Sequence, residues 1–361
     1  MKIRYDLLDA NKRKPAYAKL PPFGEGRTNH MFLVDYDNGE WHDPRIVPYG
    51  PLSIMPGAIC LHYGQTLFEG AKAFIHPDGE LYAWRFDMNA ERVNKSADVI
   101  MMQNIPVDLQ IEGCMRLLDV ERELCPTAPE SSMYIRPLMI GTQDSLGIKS
   151  SNKYTYAIIL SPAGPYYADG FNKATTLLIT SKYHRAVHGG TGNSKTGGNY
   201  AASLRPYYYA HDKGADQVLY LDATSEYIEE AGGMNHYHVL KDGTFIMPEF
   251  NDSILHSITT RTVMELAKMG KVKARFEQIR VKDFIADVKN GNIVEAGALG
   301  TAAVISPNGT YLFDDGTPPL TVADGKVGKY SRQLFELYSG MQTGKVPAPE
   351  GWAKKVERYL K

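Results

Sequence analysis

A chain of 361 residues, 43% hydrophobic and 22% charged, exceeds the size at which one core usually stops growing, so two domains are expected and extended disorder is excluded. A formal net charge of -1 supplies no global field for nucleic acid or an anionic membrane, which leaves small molecules and further copies of the chain as partners. The N-terminal MKIRYDLLDANKRKPAYAKL lacks the apolar stretch of a secretory signal, no apolar run approaches membrane-spanning length, and Cys60, Cys114 and Cys125 lack zinc or disulfide-framework spacing. A cytoplasmic location is the resulting expectation.

In chain order, MFLVDYDNGEW and FIHPDGELYAW read as hairpins turning at Asp37-Asn38-Gly39 and Asp78-Gly79. Asn89 is placed to cap a helix over AERVNKSADVIMM, and LQIEGCMRLLDVEREL has helical spacing. Strands MYIRPLMIG and YTYAIIL follow, and SPAGPYYADGFNK reads as a linker. The expected division is a smaller N-terminal domain over 1–163, an interdomain loop over 164–173 and a larger C-terminal domain over 174–361. The second half offers strands TTLLIT, QVLYLD, HYHVL, FIMPE and AAVISPNGTYLF, the last turning at Asn308-Gly309. Helices are expected over NYAASLRPYYYAHDK, ILHSITTRTVMELAKM, VKDFIADVKN, SRQLFELYSG and WAKKVERYLK. The class is mixed α+β, without regular βαβ alternation.

The run HGGTGNSKTGGNYAAS, which holds Lys195, raises two chemistries. A phosphate-cradling nucleotide loop requires glycine immediately before the lysine and a helix opening at it, but Ser194 occupies that position. Gly197-Gly198 falls where the helix should run, at about 1 kcal/mol per glycine relative to alanine, so the helix is expected near Asn199. Asp222 after the apolar QVLYL is a weak point in favour of a magnesium-binding acid. The other chemistry belongs to the lysine itself, which becomes reactive in a water-poor site with a carbonyl partner such as pyridoxal phosphate. That cofactor needs a phosphate site, an acid at its pyridine nitrogen and apolar walls.

Five motifs in order, HYGQTLFEGAKAF, YIRPLMIGTQDSLGI, TGNSKTGGNYAAS, IEEAGGMNHYHV and GALGTAAVISP, resemble the branched-chain amino acid aminotransferases of the fold-type IV pyridoxal phosphate enzymes. The resemblance implies a two-domain fold with a C-terminal pseudo-barrel that binds pyridoxal 5'-phosphate. It makes Lys195 the Schiff-base lysine, Glu230 the acid on the pyridine nitrogen and Tyr200 the neighbour of the cofactor O3′. Arg85, the amides of Ile258 and Thr259, and the Thr301 hydroxyl would hold the phosphate. Tyr63, Phe68 and Tyr134 would form aromatic walls, Tyr134 and Arg136 would take the side-chain carboxylate of glutamate, and the Thr301 and Ala302 amides its α-carboxylate. The loop Leu146-Gly147-Ile148, with Tyr63, would reach the neighbouring subunit's site, which implies a homodimer.

Read without the resemblance, Glu229-Glu230 is a solvated acidic pair, Arg85 a solvated strand end, Thr259 and Thr301 capping residues, and the aromatics core. His236 and His238 alternate on one strand without a third ligand, so no metal is expected. Two departures stand out. Ala303-Val304-Ile305-Ser306 replaces a redox-sensitive CxxC of the mammalian members, and Gly233 replaces their threonine. The rival functions are a D-amino acid aminotransferase, an aminodeoxychorismate lyase, a P-loop nucleotide-binding protein and a noncatalytic metabolite-binding protein on the same scaffold.

Overall fold

The computed structural model of the protein describes residues 1–164 and 170–360. The chain forms two compact units, Met1–Tyr166 with Ser194–Gly197 and Gly340–Lys361, and Tyr167–Asn193 with Gly198–Ser339. Of the loop expected at 164–173, residues 165–169 lie outside the described residues. No helix among the described residues is long and apolar enough to cross a membrane.

The first unit is built on one mostly antiparallel sheet, in the order Arg4–Tyr5, Glu40–Pro48, His30–Asp37, Tyr154–Ala163, Ser132–Gly141, Ala71–Ile75, Leu81–Trp84, Ala353–Lys355. The short strand Thr66–Phe68 also pairs with Ser132–Gly141. The expected hairpin turns are present; at the first, Asn38 and Gly39 both take positive φ (53° and 89°), the geometry a tight two-residue hairpin requires. Helices Phe86–Val99 and Val107–Val120 lay Val93, Ala97, Leu109, Met115 and Leu118 on Phe32, Ile46, Leu67 and Ile158. Each fully buried aliphatic or phenyl group there contributes about 1.5–3 kcal/mol.

The second unit closes a ring of six strands: Thr175–Ile179, Gln217–Leu221, Ile228–Ala231, Met234–Leu240, Ile293–Gly300 and Val304–Phe313, the last pairing back to the first. Closure leaves these strands without an unpaired edge, the pseudo-barrel the resemblance implied. Leu177, Leu219, Ile228, Ala298 and Tyr311 pack with Phe284 of the helix Val281–Lys289. Phe245–Pro248 and Ala274–Glu277 extend the sheet beyond Met234–Leu240.

Four local expectations are corrected. Asn89 lies inside its helix, and Arg85 occupies the N-cap in a left-handed conformation (φ 46°), because the Asn89 amide is drawn to Glu69 and the Gly70 carbonyl. The helix after Lys195 opens at Gly197, so the glycine pair forms its first turn instead of delaying it to Asn199. Asn308-Gly309 is no hairpin turn but lies within Val304–Phe313, at a register shift where a Cβ on residue 309 would overlap the Gly325 carbonyl. The C-terminal WAKKVERYLK is not helical: Ala353–Lys355 adds a strand to Leu81–Trp84, and Val356, fully buried, donates its N–H to the Leu81 carbonyl at 2.8 Å.

Candidate active site

The lysine segment is stitched into the first unit by its backbone. Lys195 N–H donates to Ser96 Oγ (2.9 Å), its carbonyl accepts from Phe68 N–H (3.0 Å), Thr196 bridges Leu67, and the Thr196 hydroxyl donates to the Thr66 carbonyl (2.7 Å). Lys195 therefore lies next to the Leu67–Thr196 antiparallel bridge, two residues before the helix, not at a helix start as a nucleotide loop would place it. Its Nζ lies 4.8 Å from the Phe68 ring centroid, and the Arg136 guanidinium lies 4.9 Å from the same ring. Arg136 also donates to the Tyr134 hydroxyl (3.2 Å), as expected for residues two apart on one strand face. Tyr134 is buried, edge-on to Phe23, and so close to Gly70 that a Cβ there would overlap its hydroxyl.

Arg136 Nε is buried without a hydrogen-bond partner. A guanidinium with an idle, desolvated N–H beside an apolar ring suits a carboxylate, which would supply the missing acceptor. Arg85, read from sequence alone as a solvated strand end, is only 7% exposed and stacks 4.3 Å over Trp352. The Tyr63 hydroxyl donates to the Leu146 carbonyl, while Tyr63, Leu146 and Ile148 expose large apolar surfaces.

The second unit carries Tyr200, Glu230, Ile258, Thr259, Thr301 and Ala302. Glu229 and Glu230 are both about 97% buried, so neither belongs to a solvated pair. Glu230 accepts from Leu255 N–H (2.9 Å) and Asn235 Nδ2 (3.4 Å), and pairs with Arg185 Nε at 3.2 Å. That contact is outside hydrogen-bond geometry, since Arg185 Nε has no hydrogen-bond partner and Nη2 serves the Ser253 and Gly192 carbonyls. Glu229 accepts from Ser253 Oγ; burial pushes its carboxyl above the ordinary range, against that bond and the Arg185 charge.

Helix Ile258–Lys268 is capped by Ser257, which accepts from Thr260 N–H (3.3 Å), while Arg261 N–H reaches the Ser257 carbonyl. The cap is thus Ser257 and not Thr259, and the Ile258 and Thr259 amides lie at the positive end of the helix dipole. Thr301-Ala302-Ala303 turns between paired Gly300 and Val304. Val304 holds φ 64°, a left-handed conformation that costs a β-branched residue roughly 1–3 kcal/mol.

His236 and His238 are buried against the Phe284 ring, and no group of three His, Cys, Asp or Glu side chains able to hold a metal occurs among the described residues. Sequence reading missed Glu69, Arg92, Arg185 and Ser257. Glu69 lies inside the motif HYGQTLFEGAKAF but carried no assigned role, and Arg92 reads as an ordinary helix-surface charge. Their burial against each other is visible only in three dimensions.

The amino-transferase class IV family profile matches residues 66–302. Branched-chain-amino-acid aminotransferase 2 of Bacillus subtilis is 41% identical over 98% of this chain and 97% of its own. The branched-chain-amino-acid aminotransferase of Mycolicibacterium smegmatis is 38% identical over 93% and 92%. Among solved structures, the Escherichia coli branched-chain enzyme has a TM-score of 0.73 at 24% identity, covering 91% of this chain and 99% of that one. The Thermobaculum terrenum branched-chain enzyme, solved in its PLP form, has a TM-score of 0.73 at 20% identity, covering 92% and 99%. The chain belongs to the class IV aminotransferases and, within them, to the branched-chain-amino-acid aminotransferase family.

Proposed function

We propose that this protein exchanges the amino group of L-leucine, L-isoleucine or L-valine with 2-oxoglutarate by a ping-pong route, using pyridoxal 5'-phosphate. When bound, that cofactor supplies an electron sink for the pair released at the substrate Cα. Lys195 Nζ is the amine that would hold it and, once released, take the Cα proton. Glu230 would keep a proton on the pyridine nitrogen, and Tyr200 would stand beside O3′. Arg85, the Ile258 and Thr259 amides and the Thr301 hydroxyl would bind the phosphate. Phe68, Tyr63 and Tyr134 would exclude water from an apolar side chain, while Arg136 with Tyr134 would take the distal carboxylate of 2-oxoglutarate. The Thr301 and Ala302 amides would hold the α-carboxylate.

The observation that carries this reading is Arg136: a buried Nε without a partner, on the same phenyl ring as Lys195 Nζ, pairs an anion receptor with an amine. One pocket that accepts aliphatic side chains and a dicarboxylate needs both. Homodimerisation is part of the proposal. Met55, Leu61, Tyr63, Leu146 and Ile148 are all exposed, and the segments carrying them are laced by the Ser145 N–H to Gly57 carbonyl bond (2.9 Å). Such a surface is suited to a second copy. The smaller and larger domains are taken as 1–163 and 174–361, and the cytoplasm as the location.

Purified protein should be yellow, and borohydride should fix the cofactor to Lys195, read by peptide mass spectrometry. Protein that stays colourless after incubation with pyridoxal phosphate overturns the reading. Turnover of L-leucine and L-valine with 2-oxoglutarate is expected; activity confined to D-alanine or aminodeoxychorismate would reassign the substrate.

A further inference from the structure

The second unit holds a cavity of about 540 Å³ walled by Asp222, Tyr227, Glu229, Glu249, Phe250 and Glu277, none of which belongs to the candidate active site. Carboxylates and aromatic rings dominate this wall, and among the described residues no lysine or arginine lines it. The one histidine that does, His188, is paired with Asp252 at 2.6 Å. Most of the acids have work elsewhere. Asp222 accepts from the Thr224, Glu226 and Tyr227 N–H groups of its own turn, and Glu277 takes Arg275 Nε.

Glu229 is the exception. It follows Ile228 on the strand Ile228–Ala231 and leaves the face opposite to that of Glu230, as successive strand residues do. The residue is only 3% exposed; Oε1 accepts from Ser253 Oγ, while Oε2 is buried without a hydrogen-bond partner. Arg185 does not complete it, because Nη2 donates to the Gly192 and Ser253 carbonyls and Nε faces Glu230 at 3.2 Å. Burial pushes the Glu229 carboxyl up, and the Asp222 charge adds to that against Ser253, Arg185 and Asn251. A desolvated carboxylate oxygen without a donor is costly, and a cationic N–H donor is the group that best relieves it. A metal ion suits the cavity less, since no group of three His, Cys, Asp or Glu side chains able to hold one occurs among the described residues.

We infer that this cavity is a second binding site, separate from the candidate active site, for an organic ammonium compound. An N–H of the ligand meets Glu229 Oε2, Phe250 and Tyr227 wall its apolar body, and the exposed Glu249 and Glu277 attract it to the mouth. Phe250 is a fixed wall, stacked on His256 at 4.6 Å and set against Phe276 at 4.9 Å. The cavity also adjoins the support of Glu230: Ser253 serves Glu229, and two residues on the Leu255 N–H serves Glu230.

The probes are benzyldimethylammonium, which keeps one N–H, and benzyltrimethylammonium, which has the same charge and none. Neither can condense with a cofactor aldehyde, so the holoenzyme is titrated as it stands and binding is read by saturation-transfer difference NMR. The tertiary cation should bind at least about fivefold more tightly than the quaternary one. Glu229→Gln puts a donor where the acceptor stood, so the tertiary cation should weaken by about tenfold and the two probes should then bind within about twofold of each other. Phe250→Ala removes the wall and should weaken both alike, by about threefold to tenfold. Magnesium chloride at matched ionic strength should displace neither. Equal affinity of the two probes for the unaltered chain overturns the proposal, as does a Glu229→Gln variant that keeps the preference for the tertiary cation. Displacement by magnesium would make the cavity a diffuse acidic surface and overturn it as well. If Glu229→Gln fails to fold, as circular dichroism would show, the two-probe comparison on the unaltered chain and Phe250→Ala still decide.

Discussion

The two units each bury a glutamate against an arginine, and they do it differently. In the first, Arg92 forks onto Glu69 with two hydrogen bonds, and both residues are almost wholly out of water. In the second, Arg185 turns its Nη2 to backbone carbonyls and meets Glu230 only as a charge at 3.2 Å. A forked pair is a fastening, since its geometry is fixed and either partner alone would be a stranded charge. Glu230 is held by the Leu255 N–H and the Asn235 amide with the guanidinium offset, so its orientation is less committed to the arginine. The first arrangement suits a residue that holds others in place, and the second is compatible with the role proposed for Glu230.

The comparison is tested most severely by removing each arginine. Arg92→Met should cost about 3–5 kcal/mol, the usual loss when one member of a buried pair goes. Arg185→Met should cost less, about 1–3 kcal/mol, chiefly for two carbonyl acceptors left without a donor. Trp41, Trp84 and Trp352 all belong to the first unit, so tryptophan fluorescence in urea follows that unit, and circular dichroism adds the second. Equal losses would erase the distinction drawn between the pairs.

Next in size is Glu230→Gln. Turnover should fall by roughly 10²–10³, the range for losing one preorganised electrostatic contact, with the cofactor still bound and colour retained. Near-normal turnover would move the acid's role to the neighbouring Glu229.

Much of this was legible in the sequence, and the exceptions share a cause. Lys195 stood out because glycines and small residues crowd it, and the Tyr134/Arg136 pairing follows from the two-residue period of a strand. The ring of strands did not follow from local pattern. Ile228–Ala231 is the polar-looking IEEA, and its burial depends on the partners either side of it. WAKKVERYLK carries helical spacing, yet its backbone completes the edge at Leu81–Trp84, where sheet hydrogen bonds outweigh local propensity. Asn89 has the right type for a cap, but a buried carboxylate two elements away claimed its amide. Glu69 and Arg92, 23 residues apart, give no sequence signal at all of being in contact.

The histidines extend the comparison to pH. In the first unit, His30 meets Glu121 at 2.5 Å and its Nε2 accepts from Leu8 N–H at 2.9 Å, so a buried imidazole there has a carboxylate at hand. In the second unit burial drives His238 down to about 4, with Asp287 only partly opposing, and holds His236 well below the ordinary range through burial and His238. The unfolded chain therefore takes up protons below about pH 6.5 that the folded barrel refuses. Stability is complete above that value and falls as pH drops toward 4, by about 1.4 kcal/mol per pH unit for each histidine. His238→Asn should flatten the dichroism-detected slope over this window by one histidine's share. An unchanged slope would mean the loss of stability in acid arises elsewhere.

The smallest effect is expected at Gly233, where the sequence resemblance implies a threonine in other members of the family. Two glycines face candidate pocket tyrosines, one in each unit. A Cβ at Gly70 would overlap the Tyr134 hydroxyl, so Gly70→Ala must push the ring off Phe23 and Arg136, at about 1–3 kcal/mol, and should raise KM for 2-oxoglutarate most. At Gly233 an added Cβ meets only the edge of Tyr200, at 3.9 Å, an ordinary contact. Gly233→Ala should thus shift stability by less than about 0.5 kcal/mol and leave kcat within about twofold, as for other unstrained substitutions. If Gly233→Ala instead lowers kcat/KM tenfold for leucine and 2-oxoglutarate alike, the space beside Tyr200 is occupied during turnover. The threonine's absence would then be part of how this pocket is shaped, and not a neutral replacement.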